Sequence, residues 1–491
     1  MSKQLLSVED IFSLTKQKLE PKDRELITHA YVFAQKNHEG QTRKEGVPYF
    51  NHCVEVAKNL AQFGLDTQTI AAGLLHDVVE DTPVTRKELK EEFGEEIEHL
   101  VSGVTKIGRV KYKGRERYIE NWRKFILTMA DDVRIILIKL ADRLHNIQTL
   151  EYLRPDKAKR IAIETIEIHA NIANRLGMWK LKKELEDNAF PFAYPKEYED
   201  TQKLLKQRAK NAEKDLGTIY KKIRTELVKH NISVVKSSHR IKGIYSLHKK
   251  LKKKNMNIEN IYDIVALRLI VPSIEICYQA LGIIHSNWKP FPGRIKDYIA
   301  LPKPNGYQSL HTTIFTGSGG IAEIQIRTPF MHEHAEYGIA AHLLYKDDNK
   351  KNKEYNLGWL SEMKKLNEKD TEKAKDFFDI VKADFFQKRI FVFTPEGDVL
   401  DLPEGSSVID FAFTIHTHIG KHVTSGEING KHSSIFTQLK DGDIVKVSTQ
   451  KNTTPSSKWL DHTKTSLARK QIKKYLEENS IVNKIIKRFT K

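Results

Sequence analysis

Residues 73–82 read GLLHDVVEDT, an apolar opening followed by one histidine and three carboxylates. The pattern predicts a helix, and residues four apart share a helical face, so His76 would stand over Glu80 and Asp77 over Asp81. Acids this close repel one another and, on an otherwise apolar helix, require a cation or a basic partner. Two other stretches supply side chains of the same kind. His52 opens a helix after VPYFN with apolar neighbours that turn it inward, and Asp142 lies in ILIKLADRLHN, where a carboxylate among aliphatics is costly unless paired. Asn146 follows Asp142 by one turn. His52, His76, Asp77 and Asp142 together form a mixed nitrogen and oxygen donor set suited to Mn2+, Fe2+ or Zn2+ rather than to a thiolate metal. The alternative for Asp142 is a surface pair with Arg143 or Arg134.

A second group of reactive side chains begins at HRIKGIYSLHKKLKKK, which places Arg240, Lys242, Ser246, Lys249 and Lys250 along a turn and the first turns of a helix. Guanidinium forks, ammonium charges and a helix amino terminus can hold a triphosphate, although a solvated basic face is the plainer use of such a run. Asp263, at the mouth of a buried strand, and Glu323, on a strand face, could share Mg2+, or could serve as a strand-end cap and an exposed face residue. GRIKDYIALPKPNGYQSLHTTI has the prolines and glycine of an ordered loop and brings Tyr307 near Lys296 and His311. A tyrosine there can stack on a purine or pack against its neighbours.

The elements that must position these groups differ along the chain. From Pro21 to about Leu185 the apolar positions recur at three and four, as in VEVAKNLAQFGL and DVRIILIKLADRLHNIQTL, which predicts an all-helical domain over residues 1–188. AFPFAYPKEY, with two prolines and four aromatics, interrupts that pattern and marks a boundary, after which 189–230 is a helical linker. Residues 231–346 read as an α/β domain: ISVVKSSHRIKGIYSL gives strand, turn and helix, IYDIVALRLIVPS a buried strand, and AEIQIRT a strand with Glu323, Gln325 and Arg327 on one face. A charged loop and connecting helix cover 347–387. RIFVFTPEGDVLDLPEGSSVIDFAFTIH then gives two strands, a turn and a helix capped by Ser406 or Ser407, and DGDIVKVST closes a small β-grasp-like domain over 388–450. Basic helices fill 451–491.

The 491 residues carry a formal net charge of +18, and residues 201–260 alone hold seventeen Lys and Arg against four Asp and Glu. Nucleotides, RNA and acidic surfaces are the partners such a balance favours. Only two cysteines occur, Cys53 and Cys277, which excludes a disulfide framework and a cysteine zinc site and fits a reducing compartment. MSKQLLSVEDIF lacks the segments of a secretory signal, and no run approaches the roughly 18 apolar residues of a membrane span. The expectation is a cytoplasmic protein without a membrane partner.

The order His52, then His76-Asp77, then a distant Asp142 resembles the HD phosphohydrolases, and HDVVEDT with KLADRLHN resembles their RelA/SpoT branch. YDIVALRL, RIKDYIALPKPNGYQSLHT and EIQIRTPFMHEHAEYGIAAH resemble the (p)ppGpp synthetase region of the same family, and residues 388–450 resemble a TGS domain. The resemblance implies an all-α hydrolase domain, an α/β nucleotidyltransferase-like synthetase domain and a β-grasp TGS domain with trailing helices. It further implies that His52, His76, Asp77 and Asp142 hold Mn2+, that Glu80 and Asp81 orient or activate water, and that Arg43, Lys44 and Asn146 contact (p)ppGpp. In the second domain Arg240, Lys242, Ser246 and Lys250 would bind ATP. Asp263 and Glu323 would hold Mg2+, with Glu323 also the base, and Lys296, Asn305, Tyr307 and His311 would bind GDP or GTP. The basic form of RIKD accompanies members that both make and destroy the alarmone. His416 falls where the family contacts the tRNA 3′ end, so tRNA and the ribosome are possible partners, and DNA is not. Two departures are His239, where the family usually has glycine, and Gly243, where it often has histidine. They leave in play a hydrolase with a silent synthetase domain, and the net charge of +18 with the TGS resemblance leaves a second rival, a tRNA- or ribosome-binding regulator with degenerate catalysis. The zinc-finger and ACT regions common in long members have no counterpart in these residues.

Overall fold

The computed structural model describes residues 5–108, 128, 131–258, 261, 264–303, 305–316, 320–344 and 389–479. These fall into two compact units, one formed by the described residues up to 344 and the other by 389–479.

The first unit begins with helices α1 (Val8–Phe12), α2 (Pro21–Asn37), α3 (Phe50–Phe63), α4 (Thr67–Leu75), α5 (Val78–Asp81), α6 (Arg86–Gly108) and α7 (Val133–Gln148). Helix α3 packs on both α4 and α7, and α4 also packs on α2 and α6. Gly73 is required at the α3–α4 crossing, because a Cβ there would come within 2.4 Å of the Leu60 side chain. The helix expected through residues 73–81 is two helices. Helix α4 ends at Leu75, His76 and Asp77 form a turn, and α5 begins at Val78. The His76 ring Nδ1 bonds the Gly73 carbonyl at 2.8 Å, and the amides of Glu80 and Asp81 bond the Asp77 carbonyl, so side chain and backbone together start a new turn.

Helices α8 (Pro155–Glu164) and α9 (Ala170–Arg175) flank one π-helical turn, Thr165–His169, and lead to α10 (Trp179–Ala193) and α11 (Pro195–Lys229). The break expected across 189–198 is confined to Tyr194 (φ −140°, ψ 70°). Pro191 lies within the last turn of α10, and Pro195 is tolerated at the first position of α11, where its missing N–H has no intrahelical partner to lose. Phe190 meets Tyr194, Tyr198 and Tyr245 edge-on and fills the corner.

A five-stranded sheet follows, with strands β1 (Lys236–Ile241), β2 (Val265–Ile270), β3 (Lys296–Asp297), β4 (Leu310–Phe315) and β5 (Ile321–Arg327). Their spatial order is β1-β2-β5-β4-β3, with β2 and β5 parallel and the other pairs antiparallel. Helices α12 (Ile244–Lys253) and α13 (Ile274–Asn287) separate the first three strands, and α14 (Pro329–Tyr337) and α15 (Ile339–Leu344) follow the last. Side chains from α11, α12, α13 and the apolar face of the sheet share one core that includes Ile223, Leu247, Leu267, Ile284 and Ile324.

Helix α10 joins the helical half to the sheet half. It packs on α7 and α8 on one side and on α12 and α14 on the other. At its start the Ile339 amide bonds the Leu176 carbonyl at 3.0 Å. Gly338 makes that approach possible: it has φ +53°, and a Cβ would stand 2.0 Å from the Leu176 carbonyl oxygen.

The second unit has strands β6 (Arg389–Phe393), β7 (Val399–Pro403), β8 (Val423–Ile428), β9 (Lys431–Ser433) and β10 (Val445–Thr449), with helices α16 (Val408–Ile415) and α17 (Thr417–His422) between β7 and β8. Ser407, rather than Ser406, caps α16 in a box with Asp410. Helix α18 (Trp459–His462) and the basic helix α19 (Ser466–Glu478) belong to the same core through Trp459, Ala468 and Ile472. Buried Asp410 also accepts the Thr465 amide at 2.8 Å, which ties them to α16. Residues 347–387, expected as a charged loop and helix, and 480–491 lie outside the described residues. Among the described residues no helix is long and apolar enough to cross a membrane.

Gly338→Ala should destabilise the first unit by about 3 kcal/mol or more, because it adds both a clash with backbone and a disfavoured φ. Thermal melting beside Gly282→Ala, where a Cβ meets no atom within 4 Å, measures the difference.

Candidate functional sites

The dispersed histidines and acids of the helical half converge. The ligand atoms of His52, His76 and Asp142 all lie within 4.8 Å of one another. Asp77 joins them, with its Oδ2 3.0 Å from His76 Nε2 and 3.6 Å from His52 Nε2, while Asp142 Oδ1 is 3.3 Å from His52 Nε2. Burial resists charge on Asp77 and Asp142, but the neighbouring imidazoles and, for Asp142, Lys139 hold both carboxyls well below their ordinary range. Burial likewise opposes charge on His76, and the two carboxylates overcome it and raise that imidazole to about 9. The cluster therefore attracts positive charge from whatever can supply it.

The donor set fits a divalent cation. His76 spends Nδ1 on the Gly73 carbonyl, and its buried Nε2 has no hydrogen-bond partner of acceptable geometry despite the nearby Asp77. Two imidazole nitrogens and two carboxylates suit Mn2+, Fe2+ or Zn2+.

Three supporting residues were not apparent from the sequence. His145 Nδ1 lies 2.8 Å from His52 Nδ1, so a proton shared there leaves the His52 Nε2 lone pair facing the acids. Tyr49 donates to Asp77 Oδ2 at 2.7 Å and is 3.0 Å from Asp81 Oδ2. Lys139, rather than Arg143 or Arg134, pairs with Asp142 at 2.7 Å, because those arginines are taken by Glu164 and by Asp132 with Glu96. The available signal was spacing: His145 and Tyr49 each stand three residues from a proposed ligand.

Arg43 donates to the Asn146 side chain at 2.9 Å, and Asn146 in turn bonds Asp142, so both border the cluster. Lys44, Glu80 and Asp81 are exposed. Asp77 and Asp81 stand side by side as their spacing predicts: the Tyr49 hydroxyl reaches both carboxylates, and the Asp81 amide bonds the Asp77 carbonyl at 2.8 Å.

The sheet half has a cavity of about 340 Å3 lined by Arg240, Lys242, Lys250, Arg294, Lys296 and Lys303, with Glu323 its single carboxylate among the lining residues. Such an excess of cations suits a polyphosphate. Glu323 accepts from Gln325 Nε2 at 2.8 Å and faces His311 Nδ1 at 3.7 Å. Burial, reinforced by Lys303, Arg240, Arg327 and Lys296, pushes His311 down to about 3, and its Nε2 lies 2.8 Å from the Tyr307 hydroxyl. A neutral imidazole therefore fixes Tyr307 at the cavity wall.

Arg240, Lys242, Lys250, Lys296, Tyr307, His311 and Glu323 thus stand together. Ser246 and Asn305 are not among the lining residues. The Ser246 hydroxyl bonds Glu186 of α10 at 3.2 Å, and Asn305 Nδ2 donates to the Asn174 carbonyl at 3.3 Å. Asp263 lies outside the described residues. Asp187, beside Glu186, accepts the Tyr245 amide at 3.1 Å at the amino end of α12, and a Cβ on Gly243 would stand 2.9 Å from its carboxylate.

Three family models match the chain: an HD domain over residues 30–179, a region found in RelA / SpoT proteins over 239–350, and a TGS domain over 390–449. A guanosine-3′,5′-bis(diphosphate) 3′-pyrophosphohydrolase of Aquifex aeolicus (strain VF5) is 45% identical over 459 residues, which is 93% of this chain and 65% of that protein. The chain belongs to the RelA/SpoT family. It is also 43% identical to a GTP pyrophosphokinase of Myxococcus xanthus, over 93% of this chain and 61% of that protein. The bifunctional (p)ppGpp synthase/hydrolase SpoT of Escherichia coli (strain K12) is 40% identical, over 92% of this chain and 64% of that protein. The chain therefore spans somewhat less than two thirds of these relatives' length. Its family membership implies use of a divalent metal.

Two predictions follow from the geometry. His145→Ala should weaken divalent-metal binding about 10- to 100-fold, as loss of a ligand's hydrogen-bond partner generally does, and calorimetric titration of the metal alone measures it. Burial pushes the Asp187 carboxyl up to about 6 despite the amides it accepts. A raised carboxyl stabilises the fold fully below its unfolded value, and that contribution is lost as pH rises through about 6. Asp187→Asn keeps an acceptor without a charge and should melt above the parent protein at pH 7, with the advantage gone by about pH 4.

Proposed function

We propose that the chain is a bifunctional cytoplasmic alarmone enzyme: a (p)ppGpp 3′-pyrophosphohydrolase at the histidine and aspartate cluster, and a GTP or GDP pyrophosphokinase at the cationic cavity. The observation that carries this reading is that two sites of opposite character, one built to hold a cation and one built to hold polyanions, occur in a single chain.

At the first site His52, His76, Asp77 and Asp142 would hold Mn2+, which when bound lowers the pKa of water and neutralises phosphate charge. Tyr49 holds Asp77 and Asp81 side by side, so Asp81 and the exposed Glu80 at its rim would orient the attacking water and take its proton. Arg43 and Asn146, bonded to each other at the edge, would meet the nucleotide, with Lys44 outside them.

At the second site Arg240, Lys242 and Lys250 would receive the ATP phosphates. Lys296, Tyr307 and His311 would orient GDP or GTP, with Asn305 behind them. Glu323 would accept the proton of the 3′-hydroxyl as the pyrophosphoryl group passes to it and AMP leaves. Asp263 and Glu323 would hold Mg2+. Most of the rate then comes from positioning and charge neutralisation, as is general for phosphoryl transfer. In the second unit His416 is exposed at the start of α17, where it would contact tRNA.

One observation favours a hydrolase with restrained synthesis. Ser246 and the amino end of α12, which the ATP reading needs, are engaged by Glu186 and Asp187 of α10.

His76→Ala should abolish Mn2+-dependent release of pyrophosphate from ppGpp and still form ppGpp from ATP, GDP and Mg2+, whereas Glu323→Gln should do the reverse. Chromatography of the labelled nucleotides follows both reactions. A His76→Ala protein that makes no ppGpp would leave the hydrolase-only reading standing.

A further inference from the structure

We propose that Trp179, a side chain of α10 and so of the helical half, is a nucleotide-binding residue of the cationic cavity and forms a wall of the site for the acceptor's purine base. The inference rests on the nucleotide reading of that cavity and adds to it a residue outside the sheet half.

Trp179 is the first residue of α10 and lines the cavity directly. Its ring meets Tyr307 edge-on at 6.2 Å, and Tyr307 meets Tyr298 edge-on at 6.0 Å. All three rings converge on one point, which the Lys303 ammonium marks at 5.7 Å from Trp179, 4.5 Å from Tyr298 and 5.0 Å from Tyr307. An aromatic recess of this kind accepts either a cation or the face of a flat heterocycle. A nucleotide entering a cavity lined by Arg240, Lys242 and Lys250 brings both a base for the recess and phosphates that can take up Lys303.

The indole supplies a second argument. Its Nε1 is buried and has no hydrogen-bond partner, although a buried tryptophan N–H normally finds an acceptor. A purine offers such acceptors in its ring nitrogens and, for guanine, its carbonyl oxygen.

The position of Trp179 is set by the backbone. Just before and within the turn that precedes it, the Asn174 carbonyl accepts from Asn305 in the loop that carries Tyr307, and the Leu176 carbonyl accepts the Ile339 amide. The indole is therefore stapled to the cavity by the same segment that starts α10. Because α10 also packs on α7, the helix that carries Asp142 and His145, base binding against Trp179 acts on a helix in contact with part of the hydrolase cluster, and any coupling of affinities is reciprocal.

The test uses the full chain with GDP and, separately, ATP as probes, each titrated by calorimetry and by tryptophan emission. Trp179→Ala should weaken GDP binding at least tenfold and change ATP binding less than twofold. Trp179→Phe, which keeps a packed ring but removes the N–H, should lose a few-fold in GDP affinity and most of the GDP-dependent emission change seen in the parent. A purely structural role would move ATP and GDP together. GDP affinity in Trp179→Ala within twofold of the parent, or an unaltered emission response in Trp179→Phe, overturns the inference while leaving the nucleotide reading intact. A parent protein that binds neither nucleotide overturns both.

Discussion

The packing of α10 on two sides constrains the first unit more than any other interaction. Leu181, Leu185, Ala189 and Phe190 are buried along it, and a helix with so much covered surface cannot rotate or slide without opening a core. Its charged residues are placed with equal economy. Glu186, only 2% exposed, pairs with Lys249 at 2.9 Å and accepts from Ser246, and Asp187 caps the amino end of α12, where partial positive charge gathers. A buried acid without those partners would be costly, so the position of α12 follows from the acids of α10.

The hydrolase-side cluster depends on the same principle at closer range. Two carboxylates among aliphatic side chains must be offset by positive charge. Around them His76 and Lys139 supply it, with Tyr49, His52, His145 and Asn146 holding the geometry. His76 and Asp77 meet although they are consecutive: the Gly73 carbonyl fixes the imidazole through Nδ1, and its Nε2 lies 3.0 Å from Asp77 Oδ2. In the sheet half the logic is inverted: cations line the cavity, and a neutral His311 prevents one more charge from accumulating beside Tyr307.

Much of the candidate machinery was legible in the residue order. HDVVED, KLADRLHN and EIQIRT each set a reactive side chain in an apolar context, where its energetic cost signals a partner, and His52, His76, Asp77 and Asp142 do meet. The strand carrying Glu323 and the basic helix after Arg240 follow from period-two and period-three patterns that survive folding. The break within AFPFAYPKEY was legible from its prolines and falls at Tyr194, but the aromatic corner around Phe190 that fixes its geometry draws on residues as distant as Tyr245.

The sequence by itself determined the element types, the order of domains and the chemical character of both sites, since these rest on local periodicity and on the cost of placing charge among apolar residues. Only the tertiary structure decided which groups support the ligands, that Ser246 faces Glu186, and that Trp179 reaches a cavity built from residues 60 to 150 positions later. The physical reason is range. A helix face or strand alternation is fixed within a few residues, but a hydrogen bond between His52 and His145 depends on how α3 and α7 cross, and that crossing is set by the packing of the whole helical half.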